Sequence, residues 1–241
     1  MAKNDGLDQV LNSLSGDEFE AYREVFNVSD DEYNAAPNKA FFFNKKIRET
    51  YVHFFSRPFK DEYSPDYKEI VEGTAKKLKI SFDGLDEEKI EEKILKRVLE
   101  ITKENIIKEK GQDAWDDIEK EAEMKFREQV ERGEIKGINV ADLANLRGPA
   151  LFAAILAGRF AGFGLYMFAN QIFFAVARFF GLSIGVAVAG PIIGRVLAML
   201  LGPFGWAIAA IMVAYDLGKT NWKKIIPIVV LTATYRKMKL E

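Results

Sequence analysis

Few residues in this chain have the type and spacing that chemistry needs. His53 is the single histidine and sits in the aromatic stretch TYVHFF, where a packed imidazole fits better than a general base. Carboxylates crowd the run DEEKIEEK at 86–93, but the interleaved lysines make it read as the solvated face of a helix. GPFG at 202–205 has the glycines of a phosphate loop without the Lys-Ser/Thr that completes one, and it follows no strand. No Ser/His/Asp or His/Glu set can be assembled. With no cysteine there is no thiolate chemistry, disulfide or sulfur-ligated metal. The expectation is a non-enzymatic protein with no catalytic residue, no cofactor and no metal.

What keeps chemical character is a set of isolated charges in an apolar background. From Pro149 to Tyr215 the chain holds three arginines, Arg159, Arg178 and Arg195, and no acid. Their spacing brackets apolar segments, so they either snorkel to lipid phosphates or pair with acids of the first half at helix ends. Asp216 is the one acid between Pro149 and Glu241, and suits a pair with Lys219 or with an arginine. Near the C-terminus Lys223, Lys224, Arg236 and Lys237, with Trp222 and Tyr235, flank the run IIPIVVLTAT. That pattern fits a headgroup-level helix or a basic, capped helix on a protein core. Small residues recur at four-residue spacing in Gly158/Gly162, Gly181/Gly185 and Gly190/Gly194, joined by the Gly202, Pro203, Gly205, Trp206 element. Such spacing lets helix backbones approach closely, in lipid or in a glycine-rich bundle.

The elements that must carry these residues divide by composition. The net charge of -2 conceals -9 over residues 1–150 and +7 over 151–241. An acidic first half argues against nucleic acid as a partner, and MAKNDGLDQV lacks the apolar region of a secretory signal. Residues 1–133 read as an acidic domain of amphipathic helices. Leu7, Val10, Leu11 and Leu14 form one apolar face, and Phe19, Tyr22, Val25 and Phe26 the next. Pro37 opens a third helix carrying Phe41, Phe42, Ile47, Phe54 and Phe55, and Ser64-Pro65 reads as cap and first turn of a fourth. Long charged helices follow over about 86–110 and 112–132. Residues 134–148 are a connector, and 149–241 an apolar glycine-rich region with helices over about 149–180, 182–201, 203–217 and 221–238.

Four segments carry a family resemblance: YKEIVEGTAKKLKI (67–80), EEKIEEKILKRVLE (87–100), LLGPFGW (200–206) with Asp216, and IIPIVVLTATYRK (225–237). In order and spacing they resemble the YaaW-like family of uncharacterised bacterial proteins, sometimes labelled a ubiquinol–cytochrome c chaperone family. The chain departs from that pattern at KTNWKK (219–224). The resemblance implies a bacterial protein and supplies no catalytic residue.

The chain is therefore expected to be all-α, with an acidic amphipathic domain and membrane hairpins in the apolar region. The leading expectation is a non-enzymatic, membrane-associated protein whose C-terminal half inserts in a bilayer, a regulated pore former being its sharper form. It would lie in the bacterial inner membrane with its N-terminal domain and C-terminal tail cytoplasmic, giving an even number of spans. Membrane lipids, further copies of the chain and a protein held by the N-terminal helices are the partners this reading admits. The alternative is a soluble, cytoplasmic chaperone- or adaptor-like protein that buries the apolar helices and binds a hydrophobic partner.

Overall fold

The computed structural model describes residues 5–52, 64–135, 137–160, 162–179 and 220–240. These residues are helical, with no strand among them. They fall into two compact units, one drawn from 5–94 and 220–240, the other from 95–179.

In the first unit, α1 (Gly6–Ser13) opens on a capping box in which the side chains of Asp5 and Asp8 each accept the other's backbone N–H. A 3₁₀ turn at Gly16–Glu18 leads into α2 (Phe19–Phe26), which closes on Asn27 at φ 58°, a left-handed position that asparagine tolerates. The short helix α3 (Asp30–Ala35) is capped by Ser29, and α4 (Lys39–Tyr51) by Asn38. Next, α5 (Tyr67–Lys77) starts from Asp66, whose carboxylate accepts the Glu69 N–H. The long helix α6 (Glu87–Lys110) begins here and continues into the second unit.

The last described helix, α11 (Trp222–Lys239), is buried without a break from Ile225 to Lys237. It packs against α1, α2, α4 and α5. A helix apolar all round needs cover on every side, and these four amphipathic helices provide it. Two of its buried polar groups are met within the unit. Thr234 Oγ1 donates to the Val230 carbonyl at 2.8 Å, and Thr232 Oγ1 lies 3.0 Å from Tyr22 Oη. Phe43 is the aromatic hub of this unit, with the rings of Phe19, Tyr22 and Phe26 at 5.7, 5.8 and 6.2 Å.

In the second unit, α7 (Gln112–Glu131) buries Trp115, Ile118, Ala122, Phe126 and Val130 along one stripe. The small helix α8 (Val140–Leu143), then α9 (Pro149–Leu156) and α10 (Phe163–Phe179), pack on it or on one another. Ring pairs fix the contact: Phe126 meets Phe168 edge-on at 5.3 Å, and Trp115 meets Phe152 at 5.4 Å.

Several expectations are corrected. The helix expected over 149–180 is two helices, α9 and α10, because Gly158 and Gly162 take φ +87° and +70° between them. Both glycines lie in the turn between the helices, at positive φ that glycine adopts freely. The α4 face is also rotated from the one read in the sequence. Phe43 is fully buried, while Phe41 is 62% exposed. The fourth helix is capped by Asp66, not Ser64, and α3 was not expected at all. The compositional boundary at 134–148 does not coincide with the division into units, since the C-terminal helix packs among N-terminal ones.

Most consequentially, no helix among the described residues is long and apolar enough to cross a membrane. That finding overturns the expectation that the C-terminal half inserts as hairpins or forms a pore. It also leaves the inner-membrane placement and even-span topology without support. The physical reason is visible in each helix. The 17 residues of α10 rise only about 25 Å, short of a hydrocarbon core of roughly 30 Å. In α11, basic residues stand at both ends and Pro227 inside. Tyr235, expected at headgroup level, is fully buried in protein, stacked on Tyr22 at 6.1 Å.

Candidate functional site

Two arginines enter the interior of the first unit, and each is met by acids. From α4, Arg48 Nη2 donates to both carboxylate oxygens of Asp5 at 2.9 Å and lies 3.4 Å from Asp8 Oδ2. Its Nε donates to Asn44 Oδ1 at 2.8 Å, and its Nη1 to the Pro65 carbonyl. From α11, Arg236 Nη2 donates to Glu87 Oε1. Its Nε lies 3.3 Å from Glu91 Oε2, within ion-pair reach but without hydrogen-bond alignment. Tyr67 joins the two arginine groups. Its backbone N–H donates to Asp5 Oδ2 and its hydroxyl to Glu91 Oε1, both at 2.8 Å, while its ring lies 5.6 Å beneath the Arg236 guanidinium. Gly6 makes room for this: a Cβ there would stand 2.5 Å from both Arg236 Nη2 and Glu87 Oε1.

Burial sets the electrostatics. It pushes the Glu91 carboxyl up to about 8 against the pull of Arg236. It also raises Glu87 and holds the Tyr67 hydroxyl well above its ordinary value. Burial alone would lower Arg236, but Glu91, Tyr67 and Glu87 together hold it higher than usual. Asp5 goes the other way, kept low by the Tyr67 N–H and Arg48 despite its burial. The partners of these charges are protein groups on α1, α4, α5, α6 and α11. Two further pairs finish the C-terminal turn of α11: Lys237 with Glu88 at 3.2 Å and Lys239 with Glu18 at 2.8 Å. The cluster is a clamp on α11.

The second unit offers an open feature instead. Between α7 and α10 lies a cleft of about 140 Å³ lined by Glu121, Lys125, Gln171, Phe174, Ala175 and Arg178. Its lining follows from helical spacing, with Gln171, Phe174, Ala175 and Arg178 on one face of α10 and Glu121 and Lys125 one turn apart on α7. Charges ring the mouth: Arg178 Nη1 donates to Glu121 Oε1 at 2.6 Å, and Lys125 Nζ to Glu128 Oε2 at 2.9 Å. Gln171 Nε2 donates to Gln129 Oε1 at 3.0 Å and fixes the register of the two helices. An apolar depression with a few polar groups at its edge is the geometry that takes an apolar side chain. Among the described residues, no group of three or more His, Asp or Glu is placed to hold a metal ion.

The residues singled out in the sequence are distributed as follows. Arg178 stands at the cleft, and Arg236 and Lys237 are in the clamp. Arg159 lies over the Phe160 ring at 5.8 Å. Lys224 donates to the Phe26 carbonyl at 3.0 Å, and burial followed by the nearby Lys46 lowers its pKa. Lys223 is exposed. His53, Gly181, Gly185, Gly190, Gly194, Arg195, Gly202, Pro203, Gly205, Trp206 and Asp216 lie outside the described residues. Sequence reasoning missed Glu87 and Glu91, reading their run as solvated, whereas Glu91 is 1% exposed. A signal was present: the spacing Glu87, Glu91, Ile94, Val98 continues the buried face of α6 back through both acids. Asp5, Arg48 and Tyr67 had no such local sign.

The chain is 28% identical over 173 residues to the UPF0174 protein of Helicobacter pylori (strain J99 / ATCC 700824), a match covering 70% of this chain. It spans 60% of the length of that relative. This is a distant similarity to a protein that carries a family number in place of a function. No family model matches the chain, and no solved structure matches it.

Proposed function

We propose that this chain is a non-enzymatic, adaptor- or chaperone-like helical protein that holds its apolar helices within protein and binds a hydrophobic partner at the α7/α10 cleft. The observation that carries the reading is the cleft itself, where Phe174 and Ala175 line an apolar depression beside Glu121, Lys125, Gln171 and Arg178. The burial of α11 on every side supports the first half of the reading, since it removes the need for lipid cover. Charge-rich outer faces on α6 and α7 suit work in the cytoplasm. The YaaW-like resemblance of the four segments, beside the similarity to a UPF0174 protein of Helicobacter pylori, favours a bacterial protein.

A labelled amphipathic peptide with a leucine face and an uncharged glutamine face tests the proposal by fluorescence anisotropy. Phe174→Gln removes apolar floor and Ala175→Leu fills the space; helical content by circular dichroism confirms that both variants fold. Each is expected to weaken peptide binding about tenfold. Binding by both folded variants at full strength overturns the proposal.

A further inference from the structure

The surface beside the cleft has a sign. The α7 sequence carries eight acids and three bases. Asp113, Asp117, Glu121, Glu128 and Glu131 stand at spacings of four, four, seven and three, so they form one stripe along the helix. Glu121 belongs to both the stripe and the cleft lining. Asp113, Asp117 and Glu131 are exposed. In the middle of the stripe stands Met124, 50% exposed, a flexible side chain that adapts to varied apolar partners. On α10, Phe174 of the cleft lining is half-buried, and Phe179, 41% exposed, stands one turn beyond Ala175.

We propose that this face takes a basic amphipathic helix of a partner protein, a reading that rests on the cleft being the binding site. The partner's apolar side chains would enter the cleft and cover Met124, while its lysines or arginines would lie along the acidic stripe. Length supports a helix: the 19 residues from Asp113 to Glu131 rise about 27 Å, which a partner helix of similar length would match. Volume supports one anchor at a time, since a cavity near 140 Å³ is about the size that accepts a single benzene-like group. Apolar anchors at i, i+3 and i+4 with opposite charge alongside define helix-in-groove recognition.

Three labelled peptides of equal length and identical leucine faces, bearing lysine, glutamine or glutamate on the polar face, separate the possibilities. The lysine peptide is expected to bind the full chain about tenfold more tightly than the glutamate peptide at low salt, with the advantage shrinking as salt rises. Replacing Asp113, Asp117 and Glu131 together (D113N/D117N/E131Q) is expected to bring the lysine peptide down to the glutamine peptide's affinity. These exposed changes leave the core intact. Equal binding of all three peptides, weakened in each case by Phe174→Gln, overturns the charge preference and leaves the cleft as the binding site. A lysine preference that survives the triple replacement likewise overturns the stripe's role. Binding of every peptide that ignores Phe174→Gln overturns both readings together.

Discussion

The two apolar helices near the C-terminal end of the described chain, α11 and α10, are handled in opposite ways. In α11 charge goes inward: Arg236 is buried against Glu87 and Glu91, and Tyr67 ties that pair to the Arg48–Asp5 group. In α10 charge stays at the rim, where Arg178 reaches Glu121 from an exposed position. The first arrangement closes a helix into its unit, because a buried charge that loses its partner is costly. The second leaves a largely buried helix exposed only at its Arg178–Phe179 end, with an apolar depression at its edge, because a surface pair contributes little and can open. Burial of the charges thus separates the part that holds the molecule together from the part free to bind.

This contrast can be broken most severely at Arg236. Arg236→Ala leaves the buried Glu91 and the half-buried Glu87 without their cation, and unfolding in urea is expected to show a loss of about 3–5 kcal/mol. The pH dependence of the first unit comes next. Glu91 has its folded value raised from 4.5 to about 8, so its contribution is full below pH 4.5 and is lost as pH rises through about 8. Tyr67, Arg236, Glu87 and Glu88 are the groups that face it. Urea unfolding as a function of pH should show that fall across the window, and Glu91→Gln should flatten it; an unchanged slope would remove Glu91 from the explanation. A smaller effect is expected at Gly6, where Ala would crowd Arg236 and Glu87 at about 1–3 kcal/mol. Smallest is Arg178→Ala, expected to cost about 1 kcal/mol or less because the pair is exposed. Amide hydrogen exchange sharpens the comparison without mutation: the amides of α11 should exchange more slowly than those at the Phe179 end of α10. The reverse order would contradict the closed-and-open contrast.

Much of the helical layout was legible in the sequence, since 3.6-residue periodicity reports which residues of one helix share a face. The apolar stripe of α7 (Trp115, Ile118, Ala122, Phe126, Val130) and the extents of α6, α7 and α11 could be read this way. What periodicity does not report is what lies opposite. Ala175 and Phe174 gave no sign of a cleft, because a cleft needs two helices and the sequence presents them one at a time. The apolar, unbroken α11 looked as fit for lipid as for protein; only the four helices packed around it distinguish the two.

The sequence by itself determined that the described chain is helical, that acids dominate its first part and that long apolar stretches need cover. Local periodicity, capping residues and side-chain transfer energies are properties of neighbouring residues, so no fold is required to see them. The tertiary structure alone decided which cover the apolar helices receive and which charges turn inward. Glu91 and Arg236 are 145 residues apart, and only chain folding brings them to 3.3 Å. Whether a charge is solvated or buried is set by that distant partner, and it decides which unit closes and which one keeps an open face.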